Sequence, residues 1–405
     1  MTLRARSLFP ALPRLLAVCL AFILGPRPAP ADWDQWRGPK RDGVSTETDW
    51  KVWGAEGPKQ AWRAQIGRGY SAVAVTDGLV YSLGNDGTQD TVWCLSADTG
   101  AVVWRHDYPC GTDREYPGPR ATPSVDGKVV YSLSRKGHLF ALDARKGSVL
   151  WQKDVSRDPG AALPKWDFAG SPLVIGDALV LNAGTKGMAL DKRTGKTLWT
   201  SGKGAAGYAS PVPFEIGKQA GVLLFCAKGL AAVDPKSGRE LWWHPWETKY
   251  DVNSADPVVA GDRVFLSSDY DHGCVMLQIQ GGKPAVAWEN QEMRNHTNAC
   301  VLLDGHLYGN DGTVKKGDLK CIEVRTGEVK WSERKLTGSV AAAGGKLLFL
   351  GDKGTLKILE ANPAGCRELA SAQVLEGQCW TVPVLSNGRI YCRNTDGNLV
   401  CLDVR

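Results

Sequence analysis

The chain has 405 residues, with 49 Lys and Arg against 43 Asp and Glu. Four of the basic residues (Arg4, Arg6, Arg14 and Arg27) and no acidic ones fall in positions 1–31, so the remainder holds 45 basic and 43 acidic groups, a net +2. That balance, with no Lys/Arg cluster, excludes a nucleic-acid binder of the basic-patch kind.

Arg4, Arg6 and Arg14 precede an apolar run from Leu15 to Leu24, and Ala29 to Ala31 place small residues before Asp32. This is the layout of a secretory signal peptide. The run of ten apolar residues is too short to cross a bilayer, which takes about 20. Residues 1–31 are therefore predicted to be a cleaved signal, with no transmembrane segment and a periplasmic or secreted product. Val18 before Cys19 argues against lipid attachment, because processing there wants a small residue. Residues 32–60 read as an N-terminal extension, and 61–405 as the folded domain.

From there on the chain repeats. "CLSADTGAVVW" ends at Trp104, "ALDARKGSVLW" at Trp151, "ALDKRTGKTLW" at Trp199, "AVDPKSGRELW" at Trp242 and "CIEVRTGEVKW" at Trp331. A degenerate copy ends at Trp288, and Trp62 precedes them all. Successive spacings are 42, 47, 48, 43, 46 and 43 residues. Periods of this size mark solenoids and propellers. Each unit reads as four short strands joined by Gly-containing turns, as in "ATPSVDG", "KVVYSLS", "HLFALDA" and "SVLWQKD". No segment holds a 3.6-residue period between caps, so almost no helix is expected. Gly344 to Ala361 forms a seventh unit without its Trp, and Asn387 to Val404 an eighth that stops before its fourth strand. The strand around Trp62 supplies the missing one. The predicted fold is an all-β, eight-bladed propeller of four-stranded antiparallel blades, closed by pairing the chain ends.

The repeated motif reads as a fastener. Its Asp and Thr-Gly make a turn, and its Trp wedges against the next blade. Trp62, Trp104, Trp151, Trp199, Trp242, Trp288 and Trp331 are the expected docking rings. Cys94, Cys226, Cys321, Cys392 and Cys401 fall where apolar strand residues belong and act as small hydrophobes.

The pattern A-x-D-x-x-T-G-x-x-x-W resembles the docking repeat of pyrroloquinoline-quinone (PQQ)-type propellers, over roughly residues 60–405. "WDQWRGPKRDG", Trp33 to Gly43, is similar to the mature start of exported bacterial PQQ-like repeat proteins. The repeat also resembles that of the lipoprotein propeller in the outer-membrane protein assembly machine, which implies a scaffold that binds no quinone. The quinoprotein alcohol dehydrogenases of this superfamily use a Glu/Asn/Asp calcium site, a catalytic Asp and a disulfide between adjacent cysteines. No adjacent cysteines occur here, and no calcium triad maps onto this chain. No catalytic or metal-ligating residue is therefore assigned, and no cofactor is expected. PQQ with calcium stands as the alternative.

Other motifs read as structure. "GKGAAG", Gly202 to Gly207, lies between strands and lacks the helix that a dinucleotide site requires. "DYDHG", Asp269 to Gly273, lacks calcium-loop spacing. "NHT" at Asn295 is a formal sequon. Aligned on their prolines, the inner-strand entries carry small residues: Thr122, Ser171, Ser210 and Asp256. Just upstream lie larger types, Tyr70, Arg120, Asp167, Phe168, Tyr208, Asn253, His296, Asn298 and Trp380. Equivalent positions of successive blades converge on the axis, so these nine are the candidate funnel residues. They either plug the channel or bind an envelope protein, a peptide or a small polar ligand. The leading reading is a monomeric, non-catalytic binding or scaffold propeller of the envelope. A quinoprotein oxidoreductase and a carbohydrate-binding propeller are the alternatives.

Overall fold

The computed structural model describes Thr2, residues 31–112, 115–313 and 316–405. The predicted signal peptide and Cys19 lie outside the described residues. Residues 31–405 form one compact unit. It is an eight-bladed propeller built from eight antiparallel sheets of four strands each, one of which gains a fifth. The helical content among the described residues is a single 3-10 turn, Val155–Arg157.

Blades 1 to 7 begin with inner strands Ala74–Thr76, Ser124–Asp126, Leu173–Ile175, Val212–Ile216, Val258–Ala260, Val301–Leu303 and Gly338–Ala343. Blade 8 takes its three inner strands from residues 384–403 and its outer strand, Lys59–Gln65, from the start of the domain. The register sets Trp62 opposite Cys401. Closure therefore follows the expected strand exchange, and no end blade is left with an unpaired seam.

Six of the eight seams carry the same tie. In five of them the Trp ring of one blade lies on the motif glycine of the next, and its Nε1 donates to a carbonyl three residues before that glycine. Trp62 donates to Ala97 at 2.9 Å, Trp104 to Ala144 at 2.9 Å and Trp151 to Lys192 at 3.0 Å. Trp199 donates to Pro235 at 2.9 Å, and Trp288 to Val324 at 2.9 Å. Trp331 reaches Asn362 at 2.8 Å, where the seventh unit has lost the motif. The glycine is obligatory twice over. Gly147, for instance, has φ of 71°, and a Cβ there would sit 2.6 Å from the Trp104 ring. Tyr81 Oη donates to the same Ala144 carbonyl at 3.0 Å, so two rings share one acceptor.

Two seams depart from this. Trp242 packs between blades 4 and 5, but its Nε1 donates to Gln219 of its own blade at 3.2 Å. Trp242 is thus a docking ring by packing alone, without a bond across the seam. Blade 5 turns through Gln280-Gly281-Gly282 and has no motif to receive it. In blade 7, Ala370 occupies the Trp position opposite Ile358. There Trp50 and Trp53 of the N-terminal segment fill the core between blades 7 and 8.

That segment is built into the propeller. Trp33 exchanges two 2.7 Å backbone bonds with Val75 of blade 1. Val44–Ser45 adds a parallel fifth strand to the axial side of blade 7. The boundary anticipated at residue 60 falls inside strand Lys59–Gln65. The ten cysteines from Cys94 to Cys401 are unpaired, nine of them buried.

Candidate functional site

The funnel opens at the end of the propeller where the inner strands begin. Its deepest layer is a ladder of side-chain to backbone bonds made by the residues preceding the prolines. The Ala72 N–H donates to Thr122 Oγ1 at 3.0 Å, and the Thr122 N–H to Ser171 Oγ at 2.9 Å. The Ser171 N–H donates to Ser210 Oγ at 3.0 Å, and the Ser210 N–H to Asp256 Oδ1 at 2.7 Å. Blades 1 to 5 are thus linked one to the next. Small size was the property read from the sequence; hydrogen-bonding capacity is what the structure uses. Further round, Asn298 Nδ2 donates to Ser339 Oγ at 2.7 Å.

The segment Trp33 to Gly43 runs across the channel under this ladder. Arg41 donates to the carbonyls of Ser171 at 3.2 Å, Pro211 at 2.9 Å and Pro172, and to Ser124 Oγ at 3.4 Å. Arg37 donates to the carbonyls of Ala299 at 3.1 Å and Cys300 at 2.6 Å. Both guanidiniums are buried, and burial lowers that of Arg41 to about 10, against the opposing pull of Asp256 and Asp34. It stays charged at neutral pH. Both arginines hold left-handed backbone, φ 61° and 55°, strain that the axial bonds must offset. Trp36 Nε1 donates to Asp256 Oδ2 at 2.6 Å, which fixes the indole as the floor of the funnel. Burial pushes the Asp256 carboxyl up, opposed first by Arg37, whose Nε lies 4.0 Å away.

Above the floor is a cavity of about 230 Å³ whose lining, floor included, carries seven Tyr and Trp rings. Tyr70 and Trp380 stack at 5.3 Å with their planes 30° apart. Tyr116 lies 6.1 Å from Trp380 and meets Trp166 edge-on at 5.8 Å. Tyr208 Oη accepts from the Trp166 N–H at 3.2 Å. Tyr270 and His296 pair through Oη and Nε2 at 3.0 Å. Burial lowers the His296 imidazole and raises the Tyr208 and Tyr270 phenols, so these groups are neutral at physiological pH.

Of the nine residues expected at the funnel, Tyr70, Arg120, Tyr208, His296, Asn298 and Trp380 line this cavity. Three do not. Phe168 belongs to the core between blades 2 and 3. Asn253 is fully buried; its Nδ2 donates to Cys226, Ala227 and Trp246 carbonyls, and its Oδ1 accepts from Ser268. Asp167, at φ 64°, sits behind the wall and gathers Lys136 at 2.7 Å, Arg135 at 3.1 Å and Arg120 at 3.8 Å. Tyr116, Trp166 and Tyr270 were not anticipated, because they sit on inter-strand loops with no counterpart in other blades. Trp36 was quoted only as part of a terminal motif. The 47- and 48-residue spacings, which accommodate the loops carrying Tyr116 and Trp166, were the available signal. "GKGAAG" forms the irregular connection between blades 3 and 4, as read.

The family model described as outer membrane protein assembly factor BamB matches residues 44–162, 89–333 and 315–405. The chain belongs to that PQQ-like repeat family. It is 25% identical to the outer membrane protein assembly factor BamB of Burkholderia pseudomallei over 371 residues, 82% of this chain and 87% of that protein. It is also 25% identical to a quinoprotein ethanol dehydrogenase of Pseudomonas putida over 262 residues, 55% of this chain. The chain covers only 41% of that dehydrogenase's length. Among solved structures, BamB from Moraxella catarrhalis superposes with a TM-score of 0.65 at 17% identity, over 85% of this chain and 99% of that one. A quinohemoprotein alcohol dehydrogenase from Comamonas testosteroni gives 0.65 at 13% identity, over 92% and 80%. At these identities the superpositions speak for the fold.

The dehydrogenase relatives raise PQQ with calcium, and the residues present do not fit it. Calcium takes six to eight oxygen ligands, several of them carboxylates. The one carboxylate on the described funnel wall, Asp256, is committed to Trp36 and Ser210. Among the described residues no three His, Cys, Asp or Glu side chains come together as a metal-holding group. No adjacent cysteines flank the wall.

Proposed function

We propose that this chain is an exported, non-catalytic recognition propeller of the bacterial cell envelope, a scaffold that holds its partner at the funnel end. The observation that carries this reading is the use made of the wall's chemistry. Asp256 holds the floor, Asp167 holds three cations, and His296 is paired to Tyr270. The groups able to do acid–base work are thus spent on shaping an aromatic surface. Such a surface, with a few convergent polar atoms, is suited to binding. The near-complete coverage of a BamB relative supports the same reading.

The test pairs two measurements. A photo-crosslinking amino acid at Tyr116 or Trp166 in living cells should trap a discrete envelope protein, while one at exposed Val286 on an outer strand should not. Purified protein mixed with PQQ and calcium should leave the quinone spectrum unchanged. Stoichiometric PQQ uptake with alcohol-dependent dye reduction would overturn the reading.

A further inference from the structure

We infer that the funnel is a saccharide-binding site, in which one pyranose ring rests on the Tyr70–Trp380 pair above Trp36 and its hydroxyls bond to His296 and Thr297. The inference deepens the recognition reading and rests on it: it names the class of ligand held at the same funnel.

Three observations converge. The first is shape: a cavity of about 230 Å³ has room for a single six-membered ring and its substituents. The second is the wall. Tyr70 and Trp380 present a near-parallel pair of faces, stacked at 5.3 Å, and the floor indole is immobilised by Asp256 at 2.6 Å. Rigid aromatic faces bury the C–H side of a sugar ring at little entropic cost.

The third is an unmet demand for hydrogen bonds. His296 Nδ1 and Thr297 Oγ1 are buried on this wall with no protein partner. Leaving such atoms unpaired costs about 1–3 kcal/mol each, so the fold carries a cost that a ligand bearing hydroxyls removes. The imidazole tautomer that accepts the Tyr270 hydroxyl at Nε2 carries its hydrogen on Nδ1, a donor left without a protein partner on a residue of the cavity wall. Thr297 Oγ1, on the neighbouring residue, both donates and accepts. Both residues line the cavity, so a ring resting there lies beside two side chains with unmet hydrogen-bonding capacity. A quaternary ammonium, the other usual guest of aromatic walls, offers no hydrogen-bonding partner to either atom. It would also face the Arg120 guanidinium on the same wall.

The experiment uses the full mature chain and four probes: cellotetraose, chitotetraose, maltotetraose and tetragalacturonate. Binding is followed by tryptophan fluorescence and titration calorimetry. At least one should bind. Trp380→Ala should weaken that binding at least about tenfold, and Thr297→Val about three- to tenfold. Trp380→Ala should remain folded, Thr297→Val, which removes an unpaired buried hydroxyl, should melt no lower than the wild type, and Val286→Thr, far from the funnel, should bind as the wild type does. The inference falls if none of the four binds, or if affinity survives in folded Trp380→Ala and Thr297→Val alike. If no saccharide binds while funnel cross-links to an envelope protein persist, the ligand class is wrong and the scaffold reading stands. If a bound saccharide is cleaved or oxidised on incubation, the ligand class stands and the non-catalytic reading falls.

Discussion

The rim and the axis of this propeller solve the same problem with different chemistry. At the rim, six Trp rings each lie across a seam and donate one bond to a carbonyl of the next blade. At the axis, four N–H groups donate to Thr, Ser and Asp side chains, and two buried arginines collect carbonyls from several blades at once. The rim tie is modular, because each copy serves one seam and a missing copy is tolerated. The 7/8 seam shows this, where Trp50 and Trp53 stand in for the ring lost at Ala370. The axial hub exists once and touches blades 2, 3, 4 and 6 together. The funnel sits on the single-copy layer: Trp36 of the hub segment is its floor.

The largest expected effect breaks the rim. Trp104 is buried and bonded across its seam. Trp104→Ala should cost about 3–5 kcal/mol in chemical denaturation, as for other deletions of a buried large ring. Trp199, whose ring is only half-buried, should lose less, about 2 kcal/mol. Equal losses at both sites would mean that burial does not govern the tie.

The axis is tested at Arg41. Arg41→Met keeps the stem volume and removes every donor to Ser171, Pro172 and Pro211. Buried carbonyls left without partners cost about 1 kcal/mol each, partly offset by no longer burying a charge. We expect a net loss of about 2–3 kcal/mol. The loss should be accompanied by a changed environment of Trp36, read as a shift in tryptophan emission. A stability loss with unchanged emission would separate the hub from the funnel floor.

The same contrast explains what was legible in the sequence. The fold was readable because the rim motif recurs: each Asp-x-x-Thr-Gly and each Trp confirms the others, and the 42–48-residue spacing fixes the blade size. The entries with Thr122, Ser171 and Ser210 recur too. Their position was legible, but their bonds were not, since a small residue and a hydrogen-bond acceptor look alike in a row of letters. The funnel wall was half legible. Tyr70, Tyr208, His296 and Trp380 stand at aligned positions, and so were found. Asn253 and Phe168 stand at aligned positions as well, yet turn into the blades. Alignment fixes where a backbone passes, but the neighbouring contacts decide where its side chain points. Tyr116 and Trp166 come from unrepeated loops, where no second copy exists to compare.

The smallest effect sharpens the comparison within the rim itself. Trp→Phe keeps an aromatic ring in the seam and deletes Nε1. At Trp104 that removes a 2.9 Å bond to Ala144 of the next blade, in a seam where Tyr81 already donates to the same carbonyl. The acceptor is therefore not orphaned, and the cost should be near that of one net hydrogen bond, about 1 kcal/mol. At Trp242 the bond lost goes to Gln219 of the same blade, beside the polar cleft that opens between blades 4 and 5. Water can replace that partner, so Trp242→Phe should change stability by less than about 0.5 kcal/mol. The difference, read as paired shifts in denaturation midpoint at unchanged slope, isolates the cross-seam bond from ring burial. If Trp242→Phe costs as much as Trp104→Phe, the motif carbonyl contributes nothing special. Ring packing alone would then hold the seams.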